Sequence, residues 1–304
     1  LAQQASAESG NANPGFVVSP IYQNVSVSGD QQQPHYVVTL TNHSDADQAF
    51  KLSTVDFGSL QNSAGVAFLG TSSSDFAKKY GLSALMALDT DSVTVKAGQR
   101  QDIGVTIKNS DTLTSGGHYG AIMATAQTAP GGAGAKPRVG VFEVLSSLIL
   151  LIKQPGATGG LDLTAQSENS GLGTMPTTVT DKFANTGNSH VVPRGTVVVK
   201  DPLGRAVERG ALNENSGIIL PEGSRSYDTP LMTLARATMP GSYTVVTTYR
   251  YDGTEATKTY TSSFWYLGEW GMAGAGLILL GVLMAGGLIF RRRLRFAPWP
   301  RARS

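Results

Sequence analysis

The 304-residue chain contains no cysteine and only four histidines, and it has neither a G-x-S-x-G nor an H-E-x-x-H signature. The missing cysteine excludes disulfides, thiol nucleophiles, zinc-thiolate sites and iron–sulfur clusters. An exported chain is free to use disulfides. Without them, each domain must be held by its own apolar core, which fits a bacterial surface protein of a single-membrane envelope better than an animal receptor. His35, His43, His118 and His190 have no metal-ligand spacing. The sequence therefore assigns no catalytic, cofactor-binding or metal-binding residue and implies no cofactor.

A large excess of one charge is also missing, since the formal net charge is +2. That balance hides an asymmetry. Six arginines and no acid lie in 291–304, and without them 18 basic residues stand against 22 acidic ones. A nucleic-acid partner would need a basic surface, so none is expected.

The longest uncharged run covers 271–290, bounded by Gly271 and Phe290, and is followed at once by Arg291, Arg292, Arg293 and Arg295. At a rise of about 1.5 Å per residue it makes roughly 30 Å of helix, the thickness of a bilayer's hydrocarbon core. Trp265, Tyr266 and Trp270 precede it, and Phe296 and Trp299 follow, as interfacial anchoring requires. The pattern predicts a single transmembrane helix in the cell membrane, with Arg291, Arg292, Arg293 and Arg295 setting its topology. By the positive-inside rule the basic tail 291–304 is cytoplasmic and everything before Gly271 is extracellular. Small residues at Gly271 and Ala275, and at Gly281 and Ala285, allow self-association through this helix. Trp265-Tyr266-Leu267 reads literally as W-x-L, but its position favours an aromatic belt.

At the other end, Ala5-Ser6-Ala7 resembles the cleavage site of an export signal. Residues 1–14 are predicted to be a disordered lead-in after a signal peptide.

Between these ends the pattern is almost wholly β: short alternating segments bounded by Gly, Pro, Asn and Asp. Strands are predicted at 15–18, 24–27, 36–41, 49–55, 66–69, 92–96, 102–108, 119–127 and 138–153. After the Pro/Gly-rich linker 154–160 they resume at 161–168, 177–185, 195–200, 205–210, 225–229, 241–251 and 258–264. The apolar run 144–152 is too short for a span and contains Ser146-Ser147, so it reads as a long core strand. Residues 74–88 break the period and predict short helical turns within an insertion at 58–90. The glycine-rich 129–136 lacks the lysine and helix of a phosphate loop and reads as a flexible hairpin loop. The Asn42–Asp47 stretch offers oxygen ligands for calcium, but Asn, Asp and Ser also make ordinary turns, the preferred reading.

A spacing recurs. Gly98 to Tyr119 is 21 positions and Gly223 to Tyr243 is 20; upstream, Asn42 and Asn185 each end a strand. The first interval from Asn to Gly is longer by about the length of the insertion. These features predict an all-β fold: two tandem immunoglobulin-like β-sandwiches, 15–153 and 161–264, followed by a single transmembrane α-helix. A tyrosine opening a late strand after a glycine turn suits a tyrosine corner.

The order of parts resembles the WxL-interacting proteins of Gram-positive bacteria. The resemblance rests on Val93–Gln99, Ser115–Ile122 and the closing strand 144–152, then on Phe183–Asn188 with Gly195 and Asp201, and on Leu220–Arg225. It implies a single-pass, non-enzymatic surface protein whose two domains bind cell-wall polymer (peptidoglycan), W-x-L surface proteins or host proteins. It carries over no binding residue. The alternative is an assembly factor, resembling pilus chaperones, that completes a client's sheet by β-strand addition. An exposed apolar edge strand in the first domain would favour that alternative.

Overall fold

The computed structural model describes residues 15–29, 33–59, 66–70, 75–109, 112–127 and 144–295. The lead-in 1–14 with its signal remnant, the loop 129–136 and the tail beyond Arg295 lie outside the described residues.

The chain forms two compact units. The first runs to Asp162 and takes in Ala184–Val191 and Ile218–Arg225; the second comprises Leu163–Phe183, Val192–Gly217 and Ser226 onward. In the first unit the strands are β1 (Phe16–Ser19), β2 (Tyr22–Ser28), β3 (His35–Asn42), β4 (Gln48–Ser59), β5 (Val66–Gly70), β6 (Met86–Leu88), β7 (Ser92–Val95), β8 (Arg100–Ile107), β9 (Gly116–Ala126) and β10 (Val144–Gln154). One sheet has the order β1-β3-β8-β6. The other runs β2-β10-β9-β4-β5, with β7 also paired to β4.

Val38, Val105 and Ile107 from the first sheet meet Val25, Val27, Ile122, Ile149 and Leu151 from the second in one buried cluster. On the other face of the second sheet, Leu150 joins Val55, Phe57, Tyr80, Tyr119 and Ala121. Strand β10 is thus buried on both faces, which is why it reads as a continuous apolar run and not as an alternation. Each such side chain contributes about 1.5–3 kcal/mol by leaving water.

The second face is covered by the insertion. Its helix α1 (Asp75–Tyr80) and a 3-10 turn at Ser83–Leu85 correspond to the predicted helical turns. One carboxylate oxygen of Asp56 accepts from the backbone N–H of Leu82 (2.8 Å) and of Ser83 (2.7 Å), fixing the chain after α1. A Cβ on Gly81 would stand 2.4 Å from the Ala77 carbonyl oxygen, so only glycine fits there. Leu82 is fully buried, so the insertion is part of the core and not an ornament.

The rest of the chain carries β11 (Leu161–Glu168), β12 (Thr178–Asn185), β13 (Pro193–Lys200), β14 (Ala206–Leu212), β15 (Ser224–Pro230), β16 (Met232–Thr233), β17 (Gly241–Tyr251) and β18 (Lys258–Tyr266), then helix α2 (Gly268–Arg295). Its sheets are β11-β12-β15 and β16-β14-β13-β17-β18. Val179, Val197, Val199, Val207, Tyr243, Val245, Phe264 and Tyr266 form the core of the second unit. The Tyr243 hydroxyl donates to the Met239 carbonyl at 2.8 Å, the back-bond of a tyrosine corner.

The predicted fold class needs correction. The all-β character holds, but a tandem of immunoglobulin-like copies does not describe the molecule. Segments 184–191 and 218–225 belong to the first unit, so the two bodies are not consecutive stretches of chain. Their sheets also differ in strand number and order, so one is not a decorated copy of the other.

The predicted transmembrane helix is corrected as well. Gly271, Phe290, Arg291, Arg292, Arg293 and Arg295 all fall within α2, but among the described residues no helix is long and apolar enough to cross a membrane. Six of the twenty positions in 271–290 are glycine, which brings no apolar side chain to a span. The anchor, the topology assigned to the arginines, the single-pass cell-membrane location, the bilayer as partner and self-association through a membrane helix all depended on that span and are withdrawn.

Candidate functional site: an open strand edge

The site follows from a change of sheet within the first strand of the chain. Strand β1 lies antiparallel to β3, with Phe16 opposite Asn42 and Ser19 opposite Thr39. The chain then crosses over, and β2 lies parallel to β10, with Tyr22 opposite Leu148 and Ser28 opposite Gln154. Neither half covers the whole of its partner. Strand β10 pairs with β9 from Val144 to Lys153 but with β2 only from Leu148. Residues Val144 to Ser147 therefore have an open edge among the described residues. Strand β3 has a matching gap at His35 to Val38, paired among the described residues with β8 alone; there the Gln23 side-chain amide reaches the Val37 carbonyl at 3.5 Å.

Which groups point into the β10 gap follows from alternation along a strand. The Leu148 N–H donates to the Ile21 carbonyl at 2.8 Å, so Leu148 presents its main chain toward β2. Two and four residues earlier, Ser146 and Val144 present theirs to the same side, where no strand pairs with them among the described residues. Leu145 and Ser147 face β9. The start of the gap is fixed by Ser147, whose buried hydroxyl donates to the Pro20 carbonyl at 2.6 Å. Leu145 packs inward on the Leu40, Phe50 and Ile103 cluster. Around the gap apolar side chains are exposed: Ile21 at 70%, Tyr22 at 53% and Val144 at 45%. This is an unpaired row of backbone donors and acceptors flanked by apolar side chains, able to receive an extended chain.

The other sequence candidates take structural places. His118 is in strand β9. It is buried, its Nε2 lies 2.8 Å from the Thr114 carbonyl, and burial holds its pKa below the usual imidazole value. Tyr119 is fully buried among the rings of Phe57, Phe76, Tyr80 and His190. Its hydroxyl lies 3.4 Å from His190 Nδ1, and burial pushes the His190 pKa down to about 4. Tyr119 thus makes no tyrosine-corner bond; in the first unit the bond to the residue four positions back comes from His118. The Asn42–Asp47 stretch is a turn: Asn42 Oδ1 accepts from the Ser44 N–H and hydroxyl, and Asp47 accepts from the Ala97 N–H and pairs with Lys96. Among the described residues no group of three acidic or histidine side chains is placed to hold a metal ion. The sequence singled out Ser146-Ser147 only as an argument against a span; nothing in it marked where β2 would begin to cover β10.

No family model and no curated protein matches the chain, so the resemblance to WxL-interacting proteins gains nothing from comparison. Solved structures of similar fold do exist. One is the chaperone–tip adhesin complex of CFA/I fimbriae biogenesis, at 14% identity over 82% of this chain and 97% of that chain, with a TM-score of 0.44. Another is the class 5 fimbriae chaperone CfaA, at 13% identity over 81% and 98%, with a TM-score of 0.43. A third is the CsuC–CsuE chaperone–tip adhesion subunit complex from the Csu pili of Acinetobacter baumannii, at 11% identity over 81% and 97%, with a TM-score of 0.39. At these identities and TM-scores the likeness is at most one of general fold, and no functional residue is taken from it. The expected role as an anchored surface binder of peptidoglycan, W-x-L proteins or host proteins is withdrawn together with the span.

Proposed function

We propose that this chain is a non-enzymatic assembly factor for exported surface proteins, acting by β-strand addition at the open edge of β10. The observation that carries the reading is the register: β9 accompanies β10 from Val144, while β2 joins only at Leu148. The resulting gap offers the N–H and C=O groups of Val144 and Ser146 beside exposed apolar side chains. A client that lacks one strand of its own sheet has the complementary deficit: open backbone groups and an uncovered apolar stripe. Backbone pairing would supply affinity, and the alternating pockets of the client would supply selectivity.

The direct test is Ser146→Pro. Proline removes the one N–H that Ser146 points into the gap and leaves the β9 ladder intact, because Ser146 does not face β9. The full chain and the variant are compared for capture of a β-rich surface subunit truncated by one terminal strand. The variant should keep its melting temperature within a few degrees and lose capture. Equal capture by both would sink the reading. Leu145→Pro, which breaks the β9 ladder, should unfold the unit and serves as the contrast.

A further inference from the structure

A second feature lies in the second unit. A cleft of about 720 Å³ is lined by apolar atoms of Met175, Pro240, Tyr266 and Leu267, with Glu208 and Arg236 as its charged members. The first turn of α2 borders it at Gly268 and Gly271. Glu208 is the unusual one. It is 7% exposed, and its Oε2 is buried without a hydrogen-bond partner.

The backbone explains how a carboxylate comes to be there. In the pairing of β13 with β14, Val199 stands opposite Glu208 but the next residue, Lys200, stands opposite Ala206. Val207 is therefore an extra residue, a β-bulge. Val207 and Glu208 are consequently both buried, where regular alternation would expose one of them. The Val207 carbonyl serves as acceptor for the N–H groups of both Leu234 and Ala235, which holds the bulge against the chain that borders the cleft. Val207 goes to the core, and the bulge turns Glu208 into the cleft opposite Thr233.

A buried carboxylate normally has a cation or several donors. Arg236 lines the same cleft from its exposed rim, yet no ion pair joins it to Glu208 among the described residues. Burial pushes the Glu208 carboxyl up from its ordinary value, as expected for a group short of partners. A largely buried carboxylate that lines a cleft of mixed apolar and polar surface, with one oxygen short of a donor, suits a donor that arrives from outside.

We infer that this cleft is a binding site for a primary ammonium group carried on an apolar stem, with the cation on Glu208 and the stem against Met175, Pro240, Tyr266 and Leu267. The charge on Glu208 distinguishes the ligand from any neutral molecule of the same shape, and the apolar wall distinguishes it from a bare cation.

The test titrates the full chain with n-hexylammonium and, separately, with n-hexanol, following chemical shifts or heat. Hexylammonium should bind at least tenfold more tightly than hexanol. Glu208→Gln, which keeps the shape and removes the charge, should abolish that preference and leave hexanol binding unchanged. Equal affinity of the two probes for the native chain would overturn the proposal, and this comparison needs no variant to fold. So would undiminished amine binding by Glu208→Gln. Amine binding that shows up only in Arg236→Ala would overturn it as well, because Arg236 would then be the natural occupant.

Discussion

Asn42 and Asn185 make the same set of bonds at the ends of two different strands. Each donates from Nδ2 to two carbonyls: Asn42 to Ala46 (2.8 Å) and Val95 (3.0 Å), Asn185 to Ser189 (2.8 Å) and Ile219 (3.0 Å). Each accepts at Oδ1 from the backbone N–H two residues on, Ser44 in one case and Gly187 in the other. Their own N–H groups go to Gln99 and Gly223. This match corrects the alignment read from the sequence. The left-handed turn residue equivalent to Gly98 (φ 66°) is Glu222 (φ 59°), not Gly223. From Gly98 to Tyr119 and from Glu222 to Tyr243 the spacing is then 21 in both cases.

Asn42→Ala and Asn185→Ala should be similarly damaging. Both residues are buried, and truncation removes from each site two hydrogen bonds donated to carbonyls and the acceptor of one backbone N–H. A loss of about 2–3 kcal/mol is expected for each, measured as the shift of the urea midpoint of the full chain. A loss below about 0.5 kcal/mol at either site would mean that these bonds do not hold the turns.

Stability should fall with acid before the carboxylates titrate. His190 is held near pKa 4, against an unfolded value of 6.5, because burial penalises its charged form. The unfolded chain then binds more protons between those values. Stability is full above pH 6.5, declines as pH falls toward 4, and levels off for this group below that. The difference amounts to about 3 kcal/mol. His118 is shifted in the same direction, also by burial. His190→Gln should flatten the profile in this window; an unchanged slope would remove His190 as its cause.

The insertion should behave as core. Leu82→Ala leaves a cavity in the core between the two sheets, where Leu82 is fully buried, and should cost about 2–5 kcal/mol. Lys78→Ala, on the exposed side of α1, should change stability by less than about 0.5 kcal/mol. Comparable effects in thermal melts of the two variants would return the insertion to the surface.

The positions of the strands were legible in the sequence because alternation is a local property: each run carries its own period and its own Gly, Pro or Asn boundary. Strands β3, β8, β9, β17 and β18 lie within about three residues of their predicted bounds for that reason. The recurring Asn–turn–Tyr spacing was legible too, since a turn's bonds are made over a few residues. Pairing is not local. That β2 runs parallel to β10 and joins it only at Leu148 depends on residues more than a hundred positions apart, and no period records where one strand stops covering another. The same holds for Glu208, whose burial comes from one extra residue in the register of β14 against β13. Its own segment looks like any charged residue in an alternating strand. Local physics set the strands; the tertiary structure decided which edge stays open and which carboxylate turns inward, because both depend on how distant strands are placed in register.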